Sequence, residues 1–275
     1  MPASLRKADE TKTMLFPALV QMMTEVEEDM DTWAQTNEEK VVGQTDPFNT
    51  AVNAVNTLSN SLGEKTVLVA TTPLIQKCIT SGNWKERQAG YMTMGLIAEA
   101  CKESMLKNME EAMKMACSGI VDAHPRVRHA GLSCTALLLT ELAPQSQKKF
   151  HAELMPVLVN LMNTEQMLKL KCHAVSCVIN FVRGFVTDEE DGDEEEEGDE
   201  KSGLKIVKLY TKDLFVSLAN LLKVAIQENY EPLQEEVMSL LSVMASLIGK
   251  EFALYYNDFM PMMFDILNNV PQQTL

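Results

Sequence analysis

The sequence holds few of the residues that a fold with many tight turns requires. It has only 12 glycines and 10 prolines in 275 residues, and aromatic side chains make up 6%. A β-rich fold needs more turn residues than this. The six cysteines include no Cys-x-x-Cys pair, and we see no secretory signal ahead of them, so we expect the reduced core thiols of an intracellular protein. They are Cys78, Cys101, Cys117, Cys134, Cys172 and Cys177.

Patterns typical of enzymes and metalloproteins are also missing. No glycine-rich phosphate loop appears, and Cys101 and Cys134 have no adjacent base. Each histidine stands without a partner at the spacing of metal ligands, namely His124, His129, His151 and His173. No apolar run approaches the length of a membrane span. We therefore expect a protein that is not an enzyme and has no metal, no cofactor and no membrane contact.

Positive charge is in short supply, and the negative charge is concentrated in one place. Lysine and arginine number 24 against 39 acidic residues, for a formal charge of −15. Without the eleven carboxylates between positions 188 and 200, that charge would be −4. Such a balance disfavours nucleic acid and favours basic partners. We expect the tract to be disordered unless bound. It comprises Asp188, Glu189, Glu190, Asp191, Asp193, Glu194, Glu195, Glu196, Glu197, Asp199 and Glu200.

Two repeated signatures indicate the architecture. The run Arg87-Gln88-Ala89-Gly90 returns 41 positions later as Arg128-His129-Ala130-Gly131. A longer pattern, two apolar residues, Pro, three apolar, one polar and two apolar, begins at Leu15, Leu154 and Phe259. A period of about 40–47 residues with two helices is that of HEAT and armadillo arrays. We predict an all-α solenoid (superhelix) of about five and a half HEAT helix pairs.

This reading divides the chain at its acidic segments. We expect HEAT repeats over 1–187 with an acidic insertion near 28–46, an acidic disordered loop over 188–203, and further repeats over 204–275, the last truncated. The insertion should be irregular and contain Trp33, and Asp46 should cap a helix with Pro47 at its first position. The other expected helices span 11–27, 65–80, 84–101, 104–120, 125–142, 146–162, 165–186, 204–228, 232–248 and 252–268.

The second helix of each pair should line a concave surface, where a solenoid binds its partner. Trp84 could stack on a lysine stem while the Glu86 carboxylate binds the ammonium group. Alternatively, the indole of Trp84 packs on the neighbouring repeat. Gln88 falls on the same side. Arg87 and Arg128 should bind turn residues of their own or the adjacent repeat, Asp122 in the case of Arg128.

Three further carboxylates are candidates for binding basic partners. Glu99 and Glu103 lie four residues apart, as on one helix face, and Glu235 carries the same hypothesis in the fifth repeat. The alternative for Glu99 and Glu103 is a solvated helix end, because isolated exposed carboxylates contribute little binding energy.

Longer runs around these residues resemble the karyopherin-β (importin-β) family of nuclear transport receptors. They are 83–90, 95–101, 122–128, 143–151 and 255–261, and within the family they look most like the importin-5 (karyopherin β-3) branch. The resemblance covers nearly the whole chain and implies a central fragment of a longer receptor, without the amino-terminal repeats that hold much of the Ran contact. The tract at 188–200 is longer than the family's, whereas the acidic stretch with Trp33 has a diverged counterpart.

The resemblance implies a function in transport. It implies binding of basic cargo with nuclear localisation signals, Ran-GTP-dependent release, contacts with nucleoporins, and shuttling between cytoplasm and nucleus. Two alternatives remain open from the residues themselves. One is a HEAT scaffold that joins the subunits of a multiprotein complex. The other is a chaperone of basic proteins such as histones and ribosomal proteins, with the acidic tract as its active element.

Overall fold

The structure, a computed structural model, describes residues 11–35, 46–185 and 194–269. These residues contain thirteen α-helices and no β-strand. They belong to two compact units that follow one another along the chain, Met1–Ser146 and Gln147–Leu275. The all-α prediction is confirmed. The domain boundaries that we place at the acidic tract stay a prediction.

The first unit begins with one turn of π-helix, Thr11–Leu15, that continues into α1. Its helices are α1 (Phe16–Met22), α2 (Met30–Gln35), α3 (Pro47–Leu62), α4 (Glu64–Ile79), α5 (Trp84–Leu96), α6 (Lys102–Lys107), α7 (Met109–Ile120) and α8 (Pro125–Glu141). Asp46 caps α3 as predicted, because its Oδ1 accepts a hydrogen bond from the Asn49 amide at 2.6 Å. Gly63, at φ 85°, allows the chain to end α3 and begin α4 at once.

The second unit continues the pattern of helix pairs. Its helices are α9 (Gln145–Thr164), which begins two residues before the unit, α10 (Leu168–Arg183), α11 (Glu194–Gln227), α12 (Glu231–Ile248) and α13 (Tyr256–Asn269). A short 3-10 helix, Gly249–Leu254, connects α12 to α13. In the core of this unit the ring of Phe215 on α11 stacks on Tyr255 with 4.1 Å between centroids.

The repeated glycines mark the places where two helices of a pair cross. A Cβ on Gly90 of α5 would lie 2.8 Å from the Cys78 Cβ of α4. A Cβ on Gly131 of α8 would lie 2.6 Å from the Ile120 amide nitrogen, at the end of α7. Side chains larger than hydrogen do not fit at such distances. The signature therefore recurs because each second helix must approach its own first helix closely.

Several helix boundaries differ from those expected. The first helix ends at Met22 instead of near 27, and Trp33 lies in a short helix, not an irregular segment. The helix expected over 104–120 is two helices that break at Asn108. The one expected over 252–268 is preceded by the 3-10 turn. Apolar periodicity runs through such breaks because both pieces bury the same side, so it does not reveal them.

The acidic tract is a further difference. The backbone is helical from Glu194, so α11 begins ten residues before the expected position 204, and the segment predicted as a disordered loop is helical from that point. Glutamate is a good helix former, and carboxylates are favourable in the first turn of a helix, which explains the extension. Residues 188–193 lie outside the described residues. The order of that part of the tract stays a prediction.

The expectation that no apolar run approaches the length of a membrane span does not hold for one segment. Glu231–Leu254 is 24 residues long with a mean hydropathy of 1.6, enough to cross a membrane by length and composition alone. Core helices pass the same test, and α12 buries one face. Its buried side chains are Leu233, Val237, Leu240, Leu241, Met244 and Ile248.

Candidate functional site

The acidic stretch around Trp33 lies against the N-terminal ends of α5 and α8. We call residues 24–35 the acidic strap. Its Glu28 carboxylate forms an ion pair with Lys85, in the first turn of α5. The carbonyl oxygen of Glu27 accepts a hydrogen bond from Arg126, in the first turn of α8. Inside the strap, the Asp29 carboxylate accepts the Thr32 amide at 2.7 Å, which lowers the pKa of Asp29 and caps α2.

Aromatic rings and the Arg126 guanidinium group pack against one another where the strap meets α5 and α8. Trp33 is 5% exposed, and its ring meets His129 edge-on with 5.5 Å between centroids. Arg126 lies between two indoles, 5.1 Å from the Trp33 centroid and 5.7 Å from that of Trp84. Trp84 also stacks face to face on His124, with 4.0 Å between centroids. Trp84 therefore packs on the neighbouring repeat, the alternative that we considered for it.

Gln88 does not face the solvent. It is 5% exposed, and its side-chain oxygen is buried without a hydrogen-bond partner among the described residues. The helical stripe places it beside Trp84, but neighbouring helices cover that side. Glu86, in the first turn of α5, remains half-buried. The candidate positions at the start of α5 are thus mostly covered by the chain itself.

Arg87 and Arg128 hold the turn between α7 and α8. Arg87 binds both carboxylate oxygens of Asp122 at 2.8 and 2.9 Å, and donates to the Ser81 carbonyl of its own turn. Arg128 donates to the carbonyl oxygens of Asp122 and Ala123, both at 3.1 Å. The prediction that these arginines bind turn residues is confirmed. A planar guanidinium suits this role because it satisfies a carboxylate and a carbonyl together.

Replacing Asp122 by asparagine is expected to lower the free energy of unfolding by about 2 kcal/mol, because it leaves the part-buried Arg87 without its counter-charge. Burial by itself raises the pKa of Asp122, but hydrogen bonds from Arg87 and His124 outweigh it and lower that pKa below 3.8. A carboxylate whose pKa is lower in the folded state than in the unfolded state stabilises the protein at pH values above the unfolded-state pKa. This stabilisation is lost as the pH falls through the folded-state pKa. The difference between wild type and variant should therefore shrink below about pH 4.

Thermal unfolding followed by circular dichroism between pH 7 and pH 3 measures this difference. Asp213→Asn, at an exposed position on α11, serves as the control and should change little. Equal stability of Asp122→Asn and wild type at pH 7 would contradict the role of the ion pair.

The other carboxylate candidates lie at the opposite end of α5. That helix ends at Leu96, so Glu99 lies in the following turn and Glu103 in the first turn of α6. The expectation of a single helix face is therefore wrong, although both side chains are exposed. The apolar stripe predicted a helix that continues to residue 101, because Ile97 and Cys101 are buried in the turn at 97–101 as they would be in a helix.

Two residues that the sequence analysis did not single out, Asn60 and Glu64, also contact this end of α5 and the start of α6. The Glu99 carboxylate accepts a hydrogen bond from Asn60 at 2.8 Å. Glu64, at the start of α4, accepts the Ser104 amide at 2.7 Å and so satisfies a free N–H at the start of α6. Hydrogen bonds from Ser104 lower the pKa of Glu64. Glu64, Glu99 and Glu103 thus belong to one acidic rim, which is the name we use for these three residues.

Other features of the described residues suggest no catalytic chemistry. No group of three or more His, Cys, Asp or Glu side chains in the described part of the chain could hold a metal ion. Burial raises the pKa of the Cys101 thiol to about 12, and the Glu64 carboxylate adds to the effect, so this thiol is not a nucleophile at neutral pH. In the second unit, Glu235 is exposed on α12. Of the acidic tract, Asp188, Glu189, Glu190, Asp191 and Asp193 lie outside the described residues.

An apolar groove of about 420 Å³ is lined by residues of α4, α5, α6 and α7. Methionines from three helices line it together with aliphatic residues of α4. Flexible thioether side chains suit a surface that adapts to apolar partners. The lining includes Leu68, Ile75, Met94, Met105 and Met115.

Comparisons with known proteins agree with the resemblance seen in the sequence. Importin subunit beta-3 of Saccharomyces cerevisiae is 26% identical over 262 residues, which are 93% of this chain and 22% of that protein. Probable importin subunit beta-4 of Schizosaccharomyces pombe is 25% identical over 139 residues, 50% of this chain and 13% of that protein. No family model matches the sequence.

Solved structures show the same fold. Kap121p, alone and bound to RanGTP, has a TM-score of 0.79 and 23% identity, and the match covers 96% of this chain and 24% of that one. The complex of Kap121p with Pho4p gives a TM-score of 0.78. The chain is thus homologous to a segment of importin β-3 and has the HEAT-repeat solenoid fold of Kap121p. It spans less than a quarter of the length of these relatives.

Proposed function

We propose that this chain is the cargo-binding part of a nuclear transport receptor that recognises basic, lysine-rich localisation signals. The observation that carries the proposal is homology to importin β-3 along 93% of the chain. Kap121p structures with bound Pho4p, Ulp1p and the extreme C-terminus of Cdc14p support it, because they show that this fold binds other proteins. A receptor of this kind is not an enzyme, and it shuttles between cytoplasm and nucleus.

The acidic rim is the best-placed surface for a basic signal. Glu99 and Glu103 are exposed, and Asn60 holds the Glu99 carboxylate in place. Trp84, Glu86 and Gln88 are less available, because Trp84 packs on the next repeat, Glu86 is half-buried and Gln88 is buried. Glu235 extends the same proposal to the second unit. Several such contacts, each worth about 1 kcal/mol, would add up along an extended peptide.

The double variant Glu99→Lys with Glu103→Lys tests the proposal. It should weaken binding of a fluorescein-labelled lysine-rich signal peptide roughly 30-fold, because two attractive contacts of about 1 kcal/mol each are lost. Fluorescence polarisation at 50 and 300 mM salt measures the effect, and the wild-type affinity should fall as salt rises.

A matched control keeps the net charge equal. Glu110→Lys with Glu153→Lys makes the same change in charge at exposed positions on α7 and α9, the first helices of their pairs. It should bind the peptide nearly as well as wild type. If both double variants lose affinity equally, long-range charge explains the binding and the rim does not.

Release by Ran-GTP and contact with nucleoporins complete the proposed mechanism. Kap121p has been solved with RanGTP and with Nup53p. A pull-down from cell extract with and without Ran-GTP, with a full-length receptor as reference, tests both contacts. Cargo that stays bound to the full-length receptor in the presence of Ran-GTP argues against a transport cycle.

The acidic tract favours a second candidate function, a chaperone of basic proteins. Eleven carboxylates in thirteen positions attract histone-like surfaces without a shaped site. Deleting residues 188–200 separates the two functions. Loss of all basic-protein binding indicates the chaperone, whereas a mild loss together with a strong effect of Glu99→Lys and Glu103→Lys indicates the receptor.

A further inference from the structure

The acidic strap rests on a surface whose charge is opposite to its own. Lys85 and Arg126 lie in the first turns of α5 and α8. The free amide groups at these helix ends add positive partial charge. These two cations face the strap, although Glu86 shares the first turn of α5 with Lys85. The strap carries five carboxylates, Glu25, Glu27, Glu28, Asp29 and Asp31, of which Glu28 pairs with Lys85.

Contacts of Trp33, Glu28 and Glu27 attach the strap to α5 and α8. Trp33 is the one buried residue of α2. The strap also contacts α5 through the ion pair between Glu28 and Lys85, and α8 through the hydrogen bond that Arg126 donates to the Glu27 carbonyl oxygen. A helix of six residues has little stability of its own. The carboxylates of Glu25, Asp29 and Asp31 are exposed. The strap therefore contacts this surface as a short peptide ligand would, with a buried aromatic anchor and polar contacts beside it.

The surface below belongs to other elements. Trp84 and Lys85 lie on α5, and Arg126 and His129 lie on α8. These two helices pack against each other, and a Cβ on Gly95 of α5 would approach the Cα of Cys134 on α8 to 3.0 Å. Trp84 stacks on His124, a ring contact in which Trp33 takes no part. Contacts between α5 and α8 thus support this surface in addition to the strap.

We propose that Trp84, Lys85, Arg126 and His129 form a binding site for an acidic peptide segment that carries a tryptophan. We call these four residues the clasp surface. In this structure the chain's own strap occupies the clasp surface. A partner with a segment of the same chemistry binds there when the strap leaves, so the strap acts as an internal competitor. This inference is independent of the proposed function, because it assigns an acidic ligand to a cationic site away from the acidic rim.

The strap's own sequence supplies the probe. A labelled peptide of residues 24–35, Thr-Glu-Val-Glu-Glu-Asp-Met-Asp-Thr-Trp-Ala-Gln, is titrated with the full 275-residue chain and with its Trp33→Ala variant. A tethered ligand acts at an effective concentration near millimolar, so micromolar peptide cannot displace it from wild type. The peptide should bind Trp33→Ala at least tenfold more tightly than it binds wild type.

Controls establish that the indole and the guanidinium make the contact. The same peptide with alanine in place of its tryptophan should bind the Trp33→Ala variant at least tenfold more weakly. Adding Arg126→Gln to the variant should cost at least tenfold as well. Adding Lys107→Gln, at an exposed lysine on α6, should leave the affinity within twofold.

The alternative outcome is a purely structural strap. If the peptide binds neither Trp33→Ala nor wild type, or binds both equally, the proposal is overturned. Should Trp33→Ala fail to fold by circular dichroism, Glu28→Lys replaces it, since this variant weakens the strap through an exposed charge. The peptide should then bind Glu28→Lys more tightly than wild type, and equal or absent binding would again overturn the proposal.

Discussion

Phe215→Ala is expected to lower the free energy of unfolding of the second unit by about 4 kcal/mol. Phe215 is 2% exposed and joins α11 to the segment that follows α12. Its ring stacks on Tyr255, with 4.1 Å between centroids, and contacts Phe252 and Phe259 at 5.7 Å. Truncation removes both the transfer energy of a phenyl group and the favourable ring contacts, and it leaves a cavity that rigid neighbours cannot fill.

Thermal and urea-induced unfolding followed by circular dichroism measure this loss. Val216→Ala is the matched control, because its side chain is the next one along α11 and is 56% exposed. It should change the stability by less than about 0.5 kcal/mol. A Phe215→Ala protein as stable as Val216→Ala would mean that the aromatic cluster adds nothing to the packing of α13.

Gly131→Ala should destabilise the first unit by about 3 kcal/mol. In an open helix the same change would stabilise by about 1 kcal/mol, since alanine is the better helix former. Here a Cβ would lie 2.6 Å from the Ile120 amide nitrogen and 2.8 Å from the Gly119 Cα. These are backbone atoms that cannot rotate away, so α7 and α8 must separate.

Gly82→Ala is the control for Gly131→Ala. A Cβ on Gly82 would have nothing within 4 Å, and its φ lies in the range open to all residues. The midpoint of thermal unfolding should fall by several degrees for Gly131→Ala and stay nearly constant for Gly82→Ala. A rise for Gly131→Ala would show that helix propensity outweighs the close approach of α7 and α8.

The two stability predictions bear on function through the geometry of the repeats. Both the acidic rim and the clasp surface are made by side chains on successive helices. Gly131 sets the distance between α7 and α8, and α8 carries Arg126 and His129 to the strap. A small shift of that helix would therefore change the clasp surface without any change in its residues.

Some of this site was predictable from local patterns, and some was not. Asp46 as a cap and Arg87 as a partner of a turn residue follow from short spacings that a sequence displays directly. The helical stripe places Gln88 on an open surface, and it leaves Trp84 between ligand binding and packing on the neighbouring repeat. A stripe tells which residues lie on one side of a helix, but it does not tell what covers that side. Here His124, about 40 positions later in the chain, stacks on Trp84.

The acidic rim contains contacts that the sequence analysis did not predict. Glu64 and Asn60 precede Glu99 by about 40 residues, one repeat in the sequence, yet they share hydrogen bonds with the turn that holds Glu99 and with Ser104. No local spacing relates these positions. The break at Asn108 and the turn after Leu96 were hidden as well, because apolar residues continue through both.

The amino-acid sequence by itself determined the helical class, the period of the repeats and the resemblance to nuclear transport receptors. These follow from periodic burial and from glycines that recur wherever two helices must touch. Only the tertiary structure decided which polar side chains remain available, where helices break, and that the tryptophan of the acidic stretch lies on Arg126. The physical reason is that patterns report interactions between neighbours in the chain, whereas exposure and charge pairing depend on segments that folding brings together from far apart.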